Sequence, residues 1–183
     1  MRALIGFLPW IVYAVIATGD QWRYGAITGL AIAVVLVLWD RRSGRAWDEI
    51  VIETSAAVFF ALITAISFIW PHTELVKYGP ALVNVWLAGT AWGSLAIGRP
   101  FTLGIAKTMA PPEVHALPVF YRVNAVITAV WAAFFTIAAV ALTVVLALDP
   151  HATAMVIAIK ALTFVLPTLF TVRYPKIVEA RHS

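Results

Sequence analysis

The chain has no cysteine and few charges: of 183 residues none is Cys, three are Met, and only 12% are Asp, Glu, Lys or Arg. Without cysteine there is no disulfide framework, thiol nucleophile or cysteine-ligated metal. Charge is about half the share usual in soluble domains, and a soluble chain of this length could not cover its surface with so few polar groups. Also lacking are a Gly-rich phosphate loop, a Gly-x-Ser-x-Gly elbow and a pair of intramembrane aspartates. The four histidines, His72, His115, His151 and His182, lie outside the apolar runs and form no ligand cluster. These absences weigh against an enzyme, a metal site and a cofactor.

What is present is apolar. Hydrophobic residues make up 62% of the chain and the mean hydropathy is +0.92. Apolar runs occupy 3–18, 24–39, 50–70, 78–98, 119–148 and 152–174. Each is too long for a strand and none alternates with period two. Backbone in hydrocarbon must satisfy its own hydrogen bonds, so the runs are read as helices. The expected architecture is an all-α integral membrane protein, one polytopic domain over 1–183 with six transmembrane helices in three hairpins. The first run is short against the about 20 residues of a full span. It follows Arg2 but no small-residue cleavage site follows it, so it is read as a helix rather than a signal peptide. The fifth run, about 45 Å of helix against a core of about 30 Å, is expected to begin in the cytoplasmic interface.

The formal net charge is +4. The basic residues flank the runs instead of forming one patch, which argues for a bilayer and against nucleic acid. Arg2, Arg41, Arg42, Arg45, Arg99, Lys107, Arg122, Arg173, Lys176 and Arg181 fall on one side of the expected topology, and Arg23 and Lys77 on the other. That asymmetry makes the first side cytoplasmic, with both termini inside. The outward loops are very short. The cytoplasmic loop 99–118 holds Pro100, Pro111, Pro112 and Pro118, so it is not one helix; from Phe101 to Met109 a short interfacial segment is expected. Phe59-Phe60 and Phe134-Phe135 stand 75 residues apart, a faint sign that two hairpins are related.

Several residues stand out against this background. Lys160 lies near the middle of the last run, where a charged lysine costs at least about 2.5 kcal/mol. It is read as a pathway or interhelical group, with snorkelling or a purely structural hydrogen bond as the plainer alternatives. Asn84 is its best partner by depth, and its carbonyl would accept from an ammonium. Glu53 lies closer to the cytoplasmic side, where Arg122 is a possible partner and an interfacial carboxylate the plainer reading. Asn124 and Thr128 share a helix face; Asn124 is a pathway candidate, with an interfacial position on the long fifth run as the plainer reading. Pro167 frees the carbonyl of Thr163, a possible binding point unless a hydroxyl repairs it. Arg99 and Arg173 are candidates for lipid phosphate. Gly25-xxx-Gly29 and Gly89-xxx-Gly93 let helices approach closely, within one subunit by default or in a homodimer.

Phe7-Leu8-Pro9, Glu74-Leu75-Val76-Lys77-Tyr78, Arg99-Pro100, Leu117-Pro118, Asn124, Trp131, Phe134-Phe135 and Lys160 occur in an order and spacing that resemble the intracellular septation protein A family, small multi-pass inner-membrane proteins of bacteria. The resemblance runs nearly end to end. It departs where Asn124 and Trp131 are further apart than in the family, and where Phe120 or Tyr121 stands for the family's Trp. It implies a bacterial cytoplasmic membrane location and a non-enzymatic part in septation, elongation or envelope upkeep, through contacts with lipids and envelope or division proteins. The alternative from the residues is a carrier or channel for a small solute, a proton or lipid that uses Lys160.

Overall fold

In the computed structural model, residues 5–17 and 21–180 are described, and every regular element among them is helical. We number the α-helices α1 Leu8–Ile16, α2 Trp22–Arg42, α3 Val51–Ile69, α4 Gly79–Ala96, α5 Phe101–Lys107, α6 Pro118–Leu148 and α7 Thr153–Glu179. Short 3-10 turns at Trp47–Glu49, Glu74–Tyr78 and Pro112–Val114 link them. Four of these helices, α2, α3, α6 and α7, are long and apolar enough to cross a membrane. Glu74–Ala96 with Phe101–Lys107 forms a fifth candidate, bent by 79° at its break. Contacts divide the chain into two compact units, Met1–Val76 and Lys77–Ser183.

In the first unit, α2 packs against both α1 and α3. The expected first helix, 3–18, is shorter in the structure: α1 covers nine residues, preceded by a turn at residues 6 and 7, while 1–4 and 18–20 lie outside the described residues. Pro9 sits in the first turn of α1, where its missing N–H is no loss. This segment nevertheless follows the hairpin lengthwise. Gly6 lies against Glu53 in the first turn of α3, and Ala17 lies against Gly25 in the first turn of α2.

Between those ends sits an aromatic core. Trp10 lies 5.0 Å from both Phe59 and Phe60, ring centre to ring centre, and Tyr13 lies 5.3 Å from Phe60. Gly29 makes room for it, since a Cβ there would come within 2.9 Å of the Phe60 ring. At the other end of the hairpin Arg23 donates to the Ser67 carbonyl at 2.8 Å and stands over the Phe68 ring.

In the second unit, α6 is the element on which α4, α5 and α7 pack. Two indoles fasten its neighbours: Trp92 Nε1 donates to Thr136 Oγ1 at 3.1 Å, and Trp131 Nε1 donates to Thr171 Oγ1 at 3.0 Å. The loop expected at 99–118 contains α5 and the turn Pro112–Val114, so the short segment expected from Phe101 is a helix through Lys107. Pro167 does not end α7, which continues through Pro175 to Glu179, five residues past the end expected for the last span. The hydroxyl of Thr171 takes up the carbonyl of Pro167 at 2.7 Å, and that of Thr163 takes up the carbonyl of Ile159 at 2.7 Å.

Candidate functional site

Each unit holds one polar cluster. The first is built by the end of α2. Its last residues, Asp40-Arg41-Arg42-Ser43, run into Gly44, whose φ of +80° suits a residue without Cβ. The Gly44 N–H then bonds the Arg41 carbonyl at 3.1 Å and the Arg45 N–H bonds the Asp40 carbonyl at 3.1 Å. This is the Schellman reversal that closes many helices. Its effect here is to fold Arg45 back over Asp40.

The guanidinium consequently reaches two carboxylates, Asp40 Oδ1 at 3.0 Å and Glu53 Oε1 at 3.9 Å. It also donates to the Glu49 carbonyl at 2.6 Å, while the Arg41 guanidinium donates to the Arg45 carbonyl. Asp40 is 9% and Glu53 7% exposed, too little for water to stabilise either charge without the arginine. Gly6 closes the site from the N-terminal side: a Cβ at this position would stand 2.8 Å from Glu53 Oε1. Glu53 was expected as a pathway group or interfacial carboxylate. It is buried, and its ion-pair partner in this unit is Arg45, which the sequence reading had used only as a topology marker. The Gly44 stop signal after a helix-terminal Asp was the clue available.

The second cluster surrounds the break between α4 and α5. Gly98, with φ +70°, ends α4 by the same reversal, the Gly98 and Arg99 N–H groups bonding the Leu95 and Ser94 carbonyls at 2.9 and 2.8 Å. Pro100 then starts α5, whose first N–H groups need acceptors. Ser94 Oγ accepts from the Phe101 N–H at 3.1 Å, and Thr128 Oγ1 accepts from the Thr102 N–H at 3.4 Å. The Thr102 hydroxyl bonds the Asn124 carbonyl at 2.9 Å and the Thr128 hydroxyl at 2.8 Å. All four residues are buried. Asn124 is thus a core residue, with Nδ2 donating to the Phe120 carbonyl at 2.9 Å. Thr102 and Ser94 went unnoticed in the sequence because isolated hydroxyls carry no periodic signal.

The remaining candidates are dispersed. Asn84 is buried and donates to the Pro80 carbonyl at 2.9 Å, while its Oδ1 has no partner among the described residues. Lys160 is half-buried. It precedes Thr163 and Phe164 by three and four residues, so it shares their helix face; that face packs on α6, with Phe164 5.9 Å from Trp131 between ring centres. No hydrogen bond joins Lys160 to Asn84. Their helices both pack mainly on α6. Arg122, Arg99 and Arg173 are exposed. Gly25 and Gly29 are buried against Ala17, Tyr13 and Phe60, whereas a Cβ at Gly89 or Gly93 would meet nothing within 4 Å. No family model, no curated protein and no solved structure matches this chain.

Proposed function

We propose that the chain is a non-enzymatic, multi-pass protein of the bacterial inner membrane that supports septation or envelope upkeep by presenting helix faces to lipids and envelope proteins. The observation that carries this reading is α7. It runs over 27 residues, and only Thr163 and Pro167 on it are buried. Met155, Ile157, Leu162, Val165, Leu169 and Val172 face outward. An apolar face of that length suits a bilayer or a partner helix. The resemblance to the septation protein A family supports the role, and the hydroxyls around α5, bonded to one another, suit a static framework. The open Gly89 and Gly93 leave α4 free for close approach by another helix, a second copy of the chain included.

Six spans with both termini inside is part of the same proposal. Its support is the arginine and lysine asymmetry and the lengthwise course of residues 6–17 along the first hairpin. Single cysteines can be placed in a chain that has none of its own. Thr73→Cys and His151→Cys are expected to react with an impermeant maleimide on intact cells. Leu4→Cys, Ser43→Cys and Ala116→Cys are expected to react only after permeabilisation. Labelling of Leu4→Cys from outside would reduce the spans to five.

The role is tested by depletion in the native host, scored by cell length and septum number. Altered division is expected, and normal division throughout depletion would remove the septation reading. A second reading, a carrier or channel for a small solute, a proton or lipid, is favoured by one observation: Asn84 Oδ1 is buried without a partner among the described residues, in the unit that also contains Lys160. Native mass spectrometry from nanodiscs separates the two. A small molecule retained by wild type and lost from a folded Lys160→Met variant favours the carrier. Identical spectra favour the framework.

A further inference from the structure

Three arginines crowd the end of α2, and they are not equivalent. Arg45 is held by Asp40, Glu53 and the Glu49 carbonyl. Arg41 donates to the Arg45 carbonyl and stands 4.6 Å from the centre of the Trp47 ring. Arg42 is exposed, and among the described residues no hydrogen bond, ion pair or ring contact engages it. Beside it lies a groove of about 280 Å³ lined by Val35, Leu38, Trp39, Arg42 and Ser43. Residues 35, 38, 39 and 42 follow the spacing of one helix face, so the groove lies along α2 with the free cation at its end. Val35 is 59% and Trp39 63% exposed.

We propose that this groove binds an anionic glycerophospholipid, with Arg42 on the phosphate and Val35, Leu38 and Trp39 along an acyl chain. The inference rests on the membrane placement of α2 proposed above. Given that placement, Trp39 and Arg42 fall at the headgroup level and Val35 one to two turns deeper. At about 30 Å³ per water-sized volume the groove holds around nine, a stretch of acyl chain rather than a whole lipid. A helix C-terminus repels an anion. Here the Trp39 carbonyl is covered by both the N–H and the hydroxyl of Ser43, each at 2.9 Å, and Arg42 supplies positive charge at this helix end. Arg99 and Arg173 are the other candidates for lipid phosphate; Arg42 differs in lining an apolar groove.

The full chain, reconstituted with chain-brominated phosphatidylglycerol or phosphatidylcholine at matched mole fraction, provides the test. Quenching of Trp39 is taken as the difference between wild type and Trp39→Phe. Phosphatidylglycerol is expected to quench at about fivefold lower mole fraction, the factor for one arginine near an anionic surface. Arg42→Gln should abolish that preference and Arg42→Lys should keep most of it. Because Arg42 has no internal partner, both variants are expected to match the wild-type circular dichroism and unfolding midpoint. Equal quenching by both lipids, or a preference that survives Arg42→Gln, would overturn the site while leaving α2 in the membrane. Quenching by neither lipid would overturn the membrane placement of this helix end and the site with it.

Discussion

Replacing Arg45 by methionine is expected to lower the unfolding midpoint in bicelles by on the order of 10 °C. Methionine fills most of the arginine's volume, so the effect reports the loss of its charge together with its hydrogen bond to the Glu49 carbonyl. The substitution leaves the carboxylates of Asp40 and Glu53 facing each other with little water access, and removing one partner from a buried ion pair costs roughly 3–5 kcal/mol. At about 2–4 °C per kcal/mol for a chain of this size, the shift follows. The second half of the experiment is the triple variant Asp40→Asn, Arg45→Met, Glu53→Gln. Removing all three charges also removes the uncompensated ones, so most of the lost stability should return. A single variant as stable as wild type would show that the ions are solvated rather than paired, and the cluster would lose its structural role.

The second large effect belongs to the aromatic core. Phe60 is fully buried and touches the rings of Trp10, Tyr13 and Phe59. Phe60→Ala should cost about 3–5 kcal/mol through the cavity it leaves. Gly29→Ala should cost about 1–3 kcal/mol by the opposite route, because its methyl group would push into the Phe60 ring. The two are coupled: a smaller side chain at 60 vacates the space that the Gly29 methyl needs. Gly29→Ala in the Phe60→Leu background should therefore be less costly than in wild type, by 0.5 kcal/mol or more in a double-mutant cycle. Gly89→Ala, with nothing near its Cβ, is the control and should lie within about 0.5 kcal/mol of wild type in a detergent-isolated chain. Strict additivity at 29 and 60 would contradict the packing described.

The pair of glycine motifs shows how far sequence reading reaches here. Gly25-xxx-Gly29 and Gly89-xxx-Gly93 are identical as patterns. Only the first meets side chains from neighbouring helices, Ala17, Tyr13 and Phe60, and nothing in either pentapeptide records that. Long apolar runs, by contrast, announced α2, α3, α6 and α7 within a few residues, because hydrocarbon demands length and composition locally. The Asp40–Arg45–Glu53 cluster was hidden for a different reason. Charges at the edge of an apolar run ordinarily mark the interface, and Asp40 stands among arginines read that way. Reading Gly44 as a helix stop would have predicted the return of Arg45. No local rule would have brought Glu53 to the same place. Likewise Thr102 and Thr128 meet across 26 residues, a separation at which composition is silent.

That last separation has a consequence for synthesis. The hydroxyl and carbonyl that receive the start of α5 belong to Thr128 and Asn124, which leave the ribosome more than twenty residues later. Until α6 is made and inserted, the Thr102 amide and hydroxyl must remain with water. On the membrane placement proposed above, the turn after α4 waits at the surface through part of translation and docks only when α6 arrives, so the second unit assembles backward along the chain, from α6 to α5.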